Sequence, residues 1–225
     1  MFKIYHFLIL FVVITTALPI YFHNVEHDKY NIYHMLLSFF LPLNSLIALW
    51  EISLGLNIDY IKQIYTTVLR KKYAGNKRFN SVKDFFLMNL SLSNMFSLKF
   101  WSLVWSTYSL YDESYSNRES FGFFVDVGNG WTTLVPSLLY LYAMTYDIMP
   151  AKVLGIIGII KFYQELYGTC IYFLSFILNK RYVGKTAVEV ALFVVLTNGL
   201  WFFFPLVGIY TSVQIILADS LAVLR

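Results

Sequence analysis

Long apolar runs separated by short polar connectors dominate the pattern of this chain. A helix needs about 20 apolar residues to cross a bilayer, and five runs have roughly that length or more. They lie at about 7–22, 33–56, 121–144, 153–178 and 187–217. The pattern therefore predicts an all-α integral membrane protein in which 1–225 form a single polytopic domain, a bundle of five transmembrane helices.

The first run, at about 7–22, also has features of a secretory signal, because Lys3 precedes a short apolar core. No small-residue cleavage pattern ends this run, and the second run begins almost at once. We therefore expect a membrane span there rather than a cleaved leader.

The hydrophilic segments predict an orientation in the membrane. The segment 59–83 is rich in lysine and arginine, and a second basic connector occupies 180–185. With five spans both lie on one side, which the bias of basic residues identifies as cytoplasmic, together with the N-terminus. The segment 84–111 mixes aromatic side chains with serine and asparagine. This composition favours an interfacial or re-entrant helix over a sixth span.

Composition excludes a water-soluble fold. Hydrophobic residues make up 58% of the chain, aromatic residues 20% and charged residues 13%, whereas soluble domains contain about 25% charged residues. The net charge of +4 lies mainly in the loops. No basic and aromatic face typical of nucleic-acid binding accompanies it, so we expect no nucleic-acid partner.

Cysteine and histidine predict neither a metal site nor a cofactor. Cys170 is the one cysteine of the chain and lies in an apolar run, so we interpret it as a small packed side chain without a disulfide partner. Four histidines lie near the first connector, and solvated interfacial side chains explain them better than metal ligands do. They are His6, His23, His27 and His34.

Ionisable side chains inside the apolar runs are the main functional candidates, because each costs about 3 kcal/mol to insert near the membrane centre. Glu51 lies in the second run, Asp126 near the start of the third, and Glu189 opens the fifth. Lys161 and Glu165 share the fourth run at a spacing of four residues. They lie on one helix face, where they either neutralise each other or serve a ligand.

A carboxyl group, an amide and an indole from different helices would line a cavity suited to a cation. A buried carboxylic acid can protonate an alkene, and a second carboxylate can then remove a proton elsewhere. An aromatic face, best that of tryptophan, stabilises the carbocation between these steps. Asp126 on the third run and Asn198 with Trp201 on the fifth supply such groups. The same groups would also bind an amphiphilic amine without any reaction.

Between about 105 and 211 the sequence resembles the emopamil-binding protein family, whose members share the EXPERA domain. Four elements in a fixed order carry the resemblance: an aromatic and acidic pattern, an acidic residue entering a span, a pair of tyrosine-containing triplets, and an asparagine, tryptophan and proline pattern. In that order they are Trp105, Tyr108, Asp112 and Tyr115; Asp126; Leu166-Tyr167-Gly168 with Tyr172-Phe173-Leu174; and Asn198, Trp201 and Pro205.

The resemblance implies a five-helix bundle in the endoplasmic reticulum membrane whose cavity holds sterols and cationic amphiphiles. It also implies sterol isomerisation, in which a ring double bond moves from position 8 to position 7 through a carbocation. Glu51 and Asp126 would then be the catalytic acids. The implied substrate-binding residues are Asn198, Trp201, Asp112, Tyr108 and Glu165.

One position leaves the function open. The family isomerases carry a histidine four residues before the glutamate of the second span, where this chain has Ile47 before Glu51. The enzyme hypothesis is an intramolecular isomerase acting on a sterol or related apolar molecule. The binding hypothesis is a noncatalytic sterol or amine receptor, and an accessory subunit of a membrane complex is a third hypothesis. The expected partners are the apolar molecule and the bilayer, with a second copy of the chain as a candidate.

Overall fold

Apolar residues at helical spacing fold into helices along the chain. The structure is a computed structural model, and it describes residues 2–73 and 77–225. Within these residues every regular element is helical and none is a strand, although one isolated bridge pairs Lys3 with Asn89. The prediction of an all-α protein is confirmed.

The described residues contain eleven α-helices, and the five longest coincide with the five apolar runs. In chain order they are α1 (Ile4–His27), α2 (Ile32–Ile64), α3 (Arg70–Lys72), α4 (Arg78–Phe86), α5 (Leu92–Met95), α6 (Leu98–Trp101), α7 (Leu103–Tyr108), α8 (Phe121–Tyr146), α9 (Ala151–Leu178), α10 (Ala187–Val190) and α11 (Thr197–Ala218). Short 3₁₀ helices at Glu113–Ser116 and Ala222–Leu224 precede α8 and follow α11.

Three of the described helical runs are long and apolar enough to cross a membrane: Ile4–His27, Ile32–Lys72 and Ala187–Ala218. The second run joins α2 to α3 and the third joins α10 to α11, in each case through a π-helical turn. Helices of this length and apolar composition indicate a membrane protein. Helices α8 and α9 are 26 and 28 residues long, but polar side chains make them less apolar than the other three runs.

The segment 84–111 is not the single interfacial helix that its composition predicts. It holds the end of α4 and the short helices α5, α6 and α7, none of which has the length of a membrane span. Ser91 and Ser97 divide the segment, because each hydroxyl accepts the backbone N–H of the helix that follows and so caps a new start. Trp101 and Trp105 are buried, so the segment contributes side chains to a core.

The described chain divides into two compact units, each built from three stretches. Unit 1 consists of Met1–Ile9, Ala48–Trp131 and Ile171–Thr197, and unit 2 consists of Leu10–Ile47, Thr132–Cys170 and Asn198–Arg225. Each unit has buried polar groups as well as apolar ones.

In unit 1 the two basic segments contact each other. Arg78 at the start of α4 donates from its guanidinium to the carbonyl oxygen of Gly184 at 3.0 Å and forms an ion pair with Glu189 at 3.3 Å. Glu189 also completes a capping box with Thr186 at the start of α10. The acidic residue that opens the fifth run therefore fixes a helix start and a loop.

In unit 2 the helices approach closely at glycines. A methyl group added at Gly208 of α11 would lie 2.4 Å from the ring of Phe162 on α9, and one added at Gly158 would lie 2.5 Å from the ring of Tyr140 on α8. Only glycine leaves room for these rings, and both rings are fully buried. They form part of an apolar cluster that joins α2, α8, α9 and α11.

The histidines near the first connector differ from the sequence interpretation, because two of them are buried rather than solvated. His23 and His34 are each 1% exposed, and their rings lie 3.8 Å apart. His23 contacts the carbonyl oxygen of Leu224 at 2.8 Å, and His34 contacts the hydroxyl of Thr145 at 3.3 Å. Burial follows because carbonyl and hydroxyl groups of unit 2 satisfy the ring nitrogens.

Cys170 also departs from the interpretation as a packed side chain. It is exposed on α9, where Tyr163, Tyr167 and Leu174 are each more than half exposed. An apolar exposed stripe of this kind fits a helix that faces lipid rather than water. Cys170 therefore lies on the outer surface of the helix.

Candidate functional site

The two predicted catalytic carboxylates lie on neighbouring helices of unit 1. A methyl group added at Gly130 of α8 would lie 2.8 Å from the carbonyl oxygen of Ala48 and 2.9 Å from Cβ of Glu51 on α2. One added at Gly55 of α2 would lie 3.0 Å from Val127 of α8. The two helices therefore run antiparallel here, nearly in backbone contact, with Glu51 opposite Gly130.

The spacing along α8 relates Asp126 to the contact at Gly130. Asp126 precedes Gly130 by four residues, and residues at that spacing share a helix face about one turn apart. Glu51 is 6% exposed, and Asp126 is partly buried. Helix spacing therefore relates Asp126 to Gly130, the residue of α8 that packs beside Glu51 of α2.

Tyr115 supplies a hydroxyl to the Asp126 carboxylate. Its phenol donates a hydrogen bond to Asp126 and passes close to Gly122, where an added methyl group would lie 3.4 Å from the hydroxyl oxygen. Burial raises the pKa of Tyr115 well above its usual range, and the negative charge of Asp126 raises it further. Tyr115 therefore stays a neutral hydrogen-bond donor at physiological pH.

Aromatic rings surround this hydroxyl. The ring of Trp105 stacks on Tyr115 at 5.0 Å, and Tyr108 meets Tyr115 edge-on at 5.2 Å. The indole N–H of Trp105 donates to the carbonyl oxygen of Trp50 at 2.6 Å, which ties α7 to the residue before Glu51. Electron-rich ring faces stabilise a cation, and these rings pack against the tyrosine that donates to Asp126.

Asp112, a predicted substrate-binding residue, lies in a closed hydrogen-bond network. It is 0% exposed. One carboxylate oxygen accepts from the Arg181 guanidinium at 2.8 Å and from the Tyr172 hydroxyl at 3.1 Å, and the other accepts the backbone N–H of Ser114 at 3.0 Å. The other predicted residue of this region, Tyr108, lies 3.3 Å from the Tyr172 hydroxyl oxygen. The network fixes the turn that presents Tyr115.

The role of Arg181 has no signal in the sequence, where this residue is one charge of the basic connector 180–185. In the structure its side chain reaches back to Asp112. A further feature without a sequence signal is a pair of buried donors in unit 1. Within the described residues, Trp50 Nε1 and Ser106 Oγ have no hydrogen-bond partner. Buried polar groups are nearly always paired, so both are candidates to bind an oxygen of a ligand.

No family model, curated protein or solved structure matches this chain.

Unit 2 holds the other predicted site residues. The indole N–H of Trp201 donates to the side-chain oxygen of Asn44 at 2.7 Å, and the amide of Asn44 donates to Ser137 at 3.0 Å. Glu165 also forms a hydrogen bond with Asn44. Trp201 and Glu165 therefore meet at one amide of α2. Asn198 lies on α11, one turn before Trp201.

Lys161 and Glu165 neutralise each other in unit 2. The ammonium lies 2.7 Å from the carboxylate, and both side chains are 1% exposed. The ammonium also lies over the rings of Phe162 at 4.3 Å and Phe40 at 5.3 Å. Of the two alternatives for this pair, the structure favours mutual neutralisation, because an internal cation already occupies the carboxylate and the aromatic faces.

Two further features bear on ligands. Among the described residues no group of three histidine, cysteine or acidic side chains is arranged to hold a metal ion. Unit 2 has an open apolar groove of about 480 Å³, and none of its lining residues is a predicted site residue. They are Val12, Val13, Thr16, Ala17, Ile20, Tyr21, Tyr30 and Phe39.

Proposed function

We propose that this protein is a multi-pass membrane protein that binds a sterol or related apolar molecule and shifts one of its double bonds by proton transfer. The observation that carries the proposal is the close antiparallel packing of α2 and α8 at Gly130, with Glu51 opposite this glycine and Asp126 one turn away. Proton transfer within an apolar molecule needs two such groups, one to donate and one to accept.

The proposed topology has five spans, with α8 and α9 added to the three runs that are apolar enough on their own. A polar face is acceptable in a span when it faces the protein interior, and Lys161 and Glu165 of α9 are buried. The contact of Arg78 with Gly184 supports basic loops on one side, which five spans require. We propose the endoplasmic reticulum as the membrane and the cytoplasm as the side of these loops and of the N-terminus.

In the proposed reaction, one carboxylic acid protonates an alkene carbon, and the electron pair of the double bond forms the new C–H bond. The neighbouring carbon becomes a carbocation, which the ring faces of Trp105 and Tyr115 stabilise. The second carboxylate then removes a proton from the far side of the cation, and that C–H electron pair becomes the shifted double bond. No cofactor is consumed. No step of this reaction is assigned to Asn198 or Trp201, which belong to unit 2.

A noncatalytic receptor is the second proposal, and the position of Ile47 favours it. A titratable partner one turn before Glu51 would help the carboxyl group exchange its proton, and an isoleucine cannot do so. The aromatic rings and carboxylate of unit 1 would then bind a cationic or hydroxylated amphiphile without reaction, and Trp50 Nε1 and Ser106 Oγ would bind a ligand oxygen.

The test is incubation of the purified, bilayer-reconstituted protein with an 8-unsaturated sterol in deuterated water. Isomerisation puts deuterium on the newly protonated carbon, which mass spectrometry detects. Asp126→Asn should abolish the label, whereas Glu119→Gln, which changes an exposed carboxylate, should leave it unchanged. Bound but unlabelled sterol would support the receptor, and absence of binding to the folded protein would refute both proposals.

A further inference from the structure

Unit 1 carries most of the charge of the chain. It contains 13 of the 17 lysine and arginine residues but only 8 of the 13 acidic residues, whereas unit 2 is close to neutral. Seven exposed cations of unit 1 have no ion-pair partner among the described residues. Two of them, Lys62 and Lys99, lie outside the segments 70–71, 77–83 and 180–185, and we call the other five the basic face. These five are Arg70, Lys71, Lys77, Lys83 and Lys180.

Contacts bring the segments of the basic face together. Asp84 of α4 accepts from Lys72 of α3 at 3.2 Å and from the hydroxyl of Tyr73. Arg78, also on α4, holds the loop after α9 through Gly184. The cations at 70–71, 77–83 and 180 therefore belong to neighbouring surface segments of one unit.

Nearby acidic groups are already engaged and leave the basic face unneutralised. Asp84 binds Lys72 and Tyr73, Glu189 binds Arg78, and Glu113 accepts from the hydroxyl of Tyr65 at 2.6 Å. Hydrogen bonds from Tyr73, and then from Lys72, lower the pKa of Asp84. Since these carboxylates are occupied, an external anion is the remaining partner for the five cations.

A small core gives the basic face a fixed base. Tyr65, Tyr73, Leu110 and Tyr111 are buried together beneath it, and the Tyr111 hydroxyl donates to the carbonyl oxygen of Arg78 at 2.8 Å. Phe79, next to Arg78, is 55% exposed. An exposed aromatic residue that follows basic residues in the sequence is typical of a surface at the level of lipid headgroups.

We propose that the basic face binds anionic lipid headgroups in the leaflet next to the basic loops. Arg70 and Lys71 end the apolar run Ile32–Lys72, so a membrane-spanning position of that run brings them to the headgroup phosphates. The negative potential of an anionic leaflet attracts basic residues at this depth. The inference requires a membrane but does not depend on sterol binding or on any reaction.

The experiment reconstitutes the whole protein in bilayers of equal phosphatidylserine and phosphatidylcholine and counts retained lipids by native mass spectrometry. We expect phosphatidylserine to be enriched, with about a fivefold loss of this preference for Lys71→Gln and about a 20-fold loss for Arg70→Gln/Lys71→Gln. The preference should weaken in high salt, because ions screen exposed charges.

Two further variants serve as controls for the role of charge and of its position. Lys71→Arg retains the charge and should retain the preference. Lys29→Gln removes an exposed cation of unit 2 that has no ion pair among the described residues, and it should leave the preference unchanged. An equal loss for Lys29→Gln and Lys71→Gln, or no enrichment of phosphatidylserine by the unaltered protein, would refute the inference.

Discussion

Lys161 and Glu165 of unit 2 form a buried ion pair within one turn of α9, whereas Asp112 of unit 1 pairs with Arg181, which is 69 residues away. Both pairs have N···O distances below 3 Å. The first needs little more than a helix to form. The second joins the turn before α8 to the loop after α9. A buried pair can therefore serve either charge neutrality or the connection of distant segments.

The largest effect is expected from breaking the local pair on one side only. Glu165→Gln would leave the Lys161 ammonium buried without a counterion, so we expect a loss of about 3–5 kcal/mol in the free energy of unfolding. Denaturant unfolding in detergent micelles, followed by circular dichroism, measures this loss. Lys161→Met/Glu165→Gln should recover most of it, because no charge remains. A double variant as unstable as the single one would contradict mutual neutralisation.

The distant pair should respond differently to removal of both charges. Asp112→Leu/Arg181→Met leaves the Tyr172 hydroxyl and the backbone N–H of Ser114 without their acceptor, so we expect about 2–3 kcal/mol of destabilisation to remain. The same unfolding measurement tests this. If this double variant were as stable as the unit 2 double variant, the result would contradict a role of the Asp112 network in holding distant segments together.

These two pairs also mark what sequence reasoning can reach. The spacing of Lys161 and Glu165 is visible in any helical run, because a helix fixes which residues share a face. No periodicity indicates that Arg181 returns to Asp112, or that Trp201 meets Asn44 across 157 residues. Such contacts depend on which helices become neighbours.

The same limit separates the fold from the site. Hydrophobic runs located the five long helices, because burial of apolar side chains acts locally along each helix. Their bounds were less accurate, since α2 continues beyond the predicted end at 56 to Ile64 and α11 begins at Thr197 rather than at 187. The prediction of one helix over 84–111 was wrong, because the hydroxyls of Ser91 and Ser97 cap new helix starts within this apolar segment. Burial of His23 and His34 was missed because their hydrogen-bond partners come from distant segments.

A smaller effect is expected at the crossing of α2 and α8 in unit 1. Gly130→Ala places a methyl group 2.8 Å from backbone atoms of Ala48 and Ile52, which cannot rotate away, so we expect about 1–3 kcal/mol of destabilisation. Gly128→Ala on the same helix is the control, because its added methyl group meets nothing within 4 Å. Under the enzyme hypothesis Gly130→Ala should also slow turnover. Equal stability of the two variants would contradict the close crossing.

The smallest effect concerns an exposed acid of unit 1. Tyr73 and then Lys72 hold the pKa of Asp84 below its ordinary value of 3.8. Its contribution to stability is therefore present above about pH 4 and is lost as the pH falls through the lowered value. Unfolding curves collected from pH 6 to pH 3 should show a small acid-dependent loss that Asp84→Asn lacks. An identical pH dependence for the two proteins would contradict this role.

Because Cys170 lies on the outer surface of α9, thiol-reactive reagents can report whether that surface is in contact with lipid or with water. As the one thiol of the chain, it needs no background cysteines removed before labelling. If α9 spans the bilayer, a charged maleimide added to sealed vesicles should leave this thiol unmodified, whereas a small apolar maleimide should react. Dissolving the vesicles in detergent and then denaturing the protein should make both reagents equally effective. The labelling of this single thiol therefore tests whether α9 is one of the membrane spans.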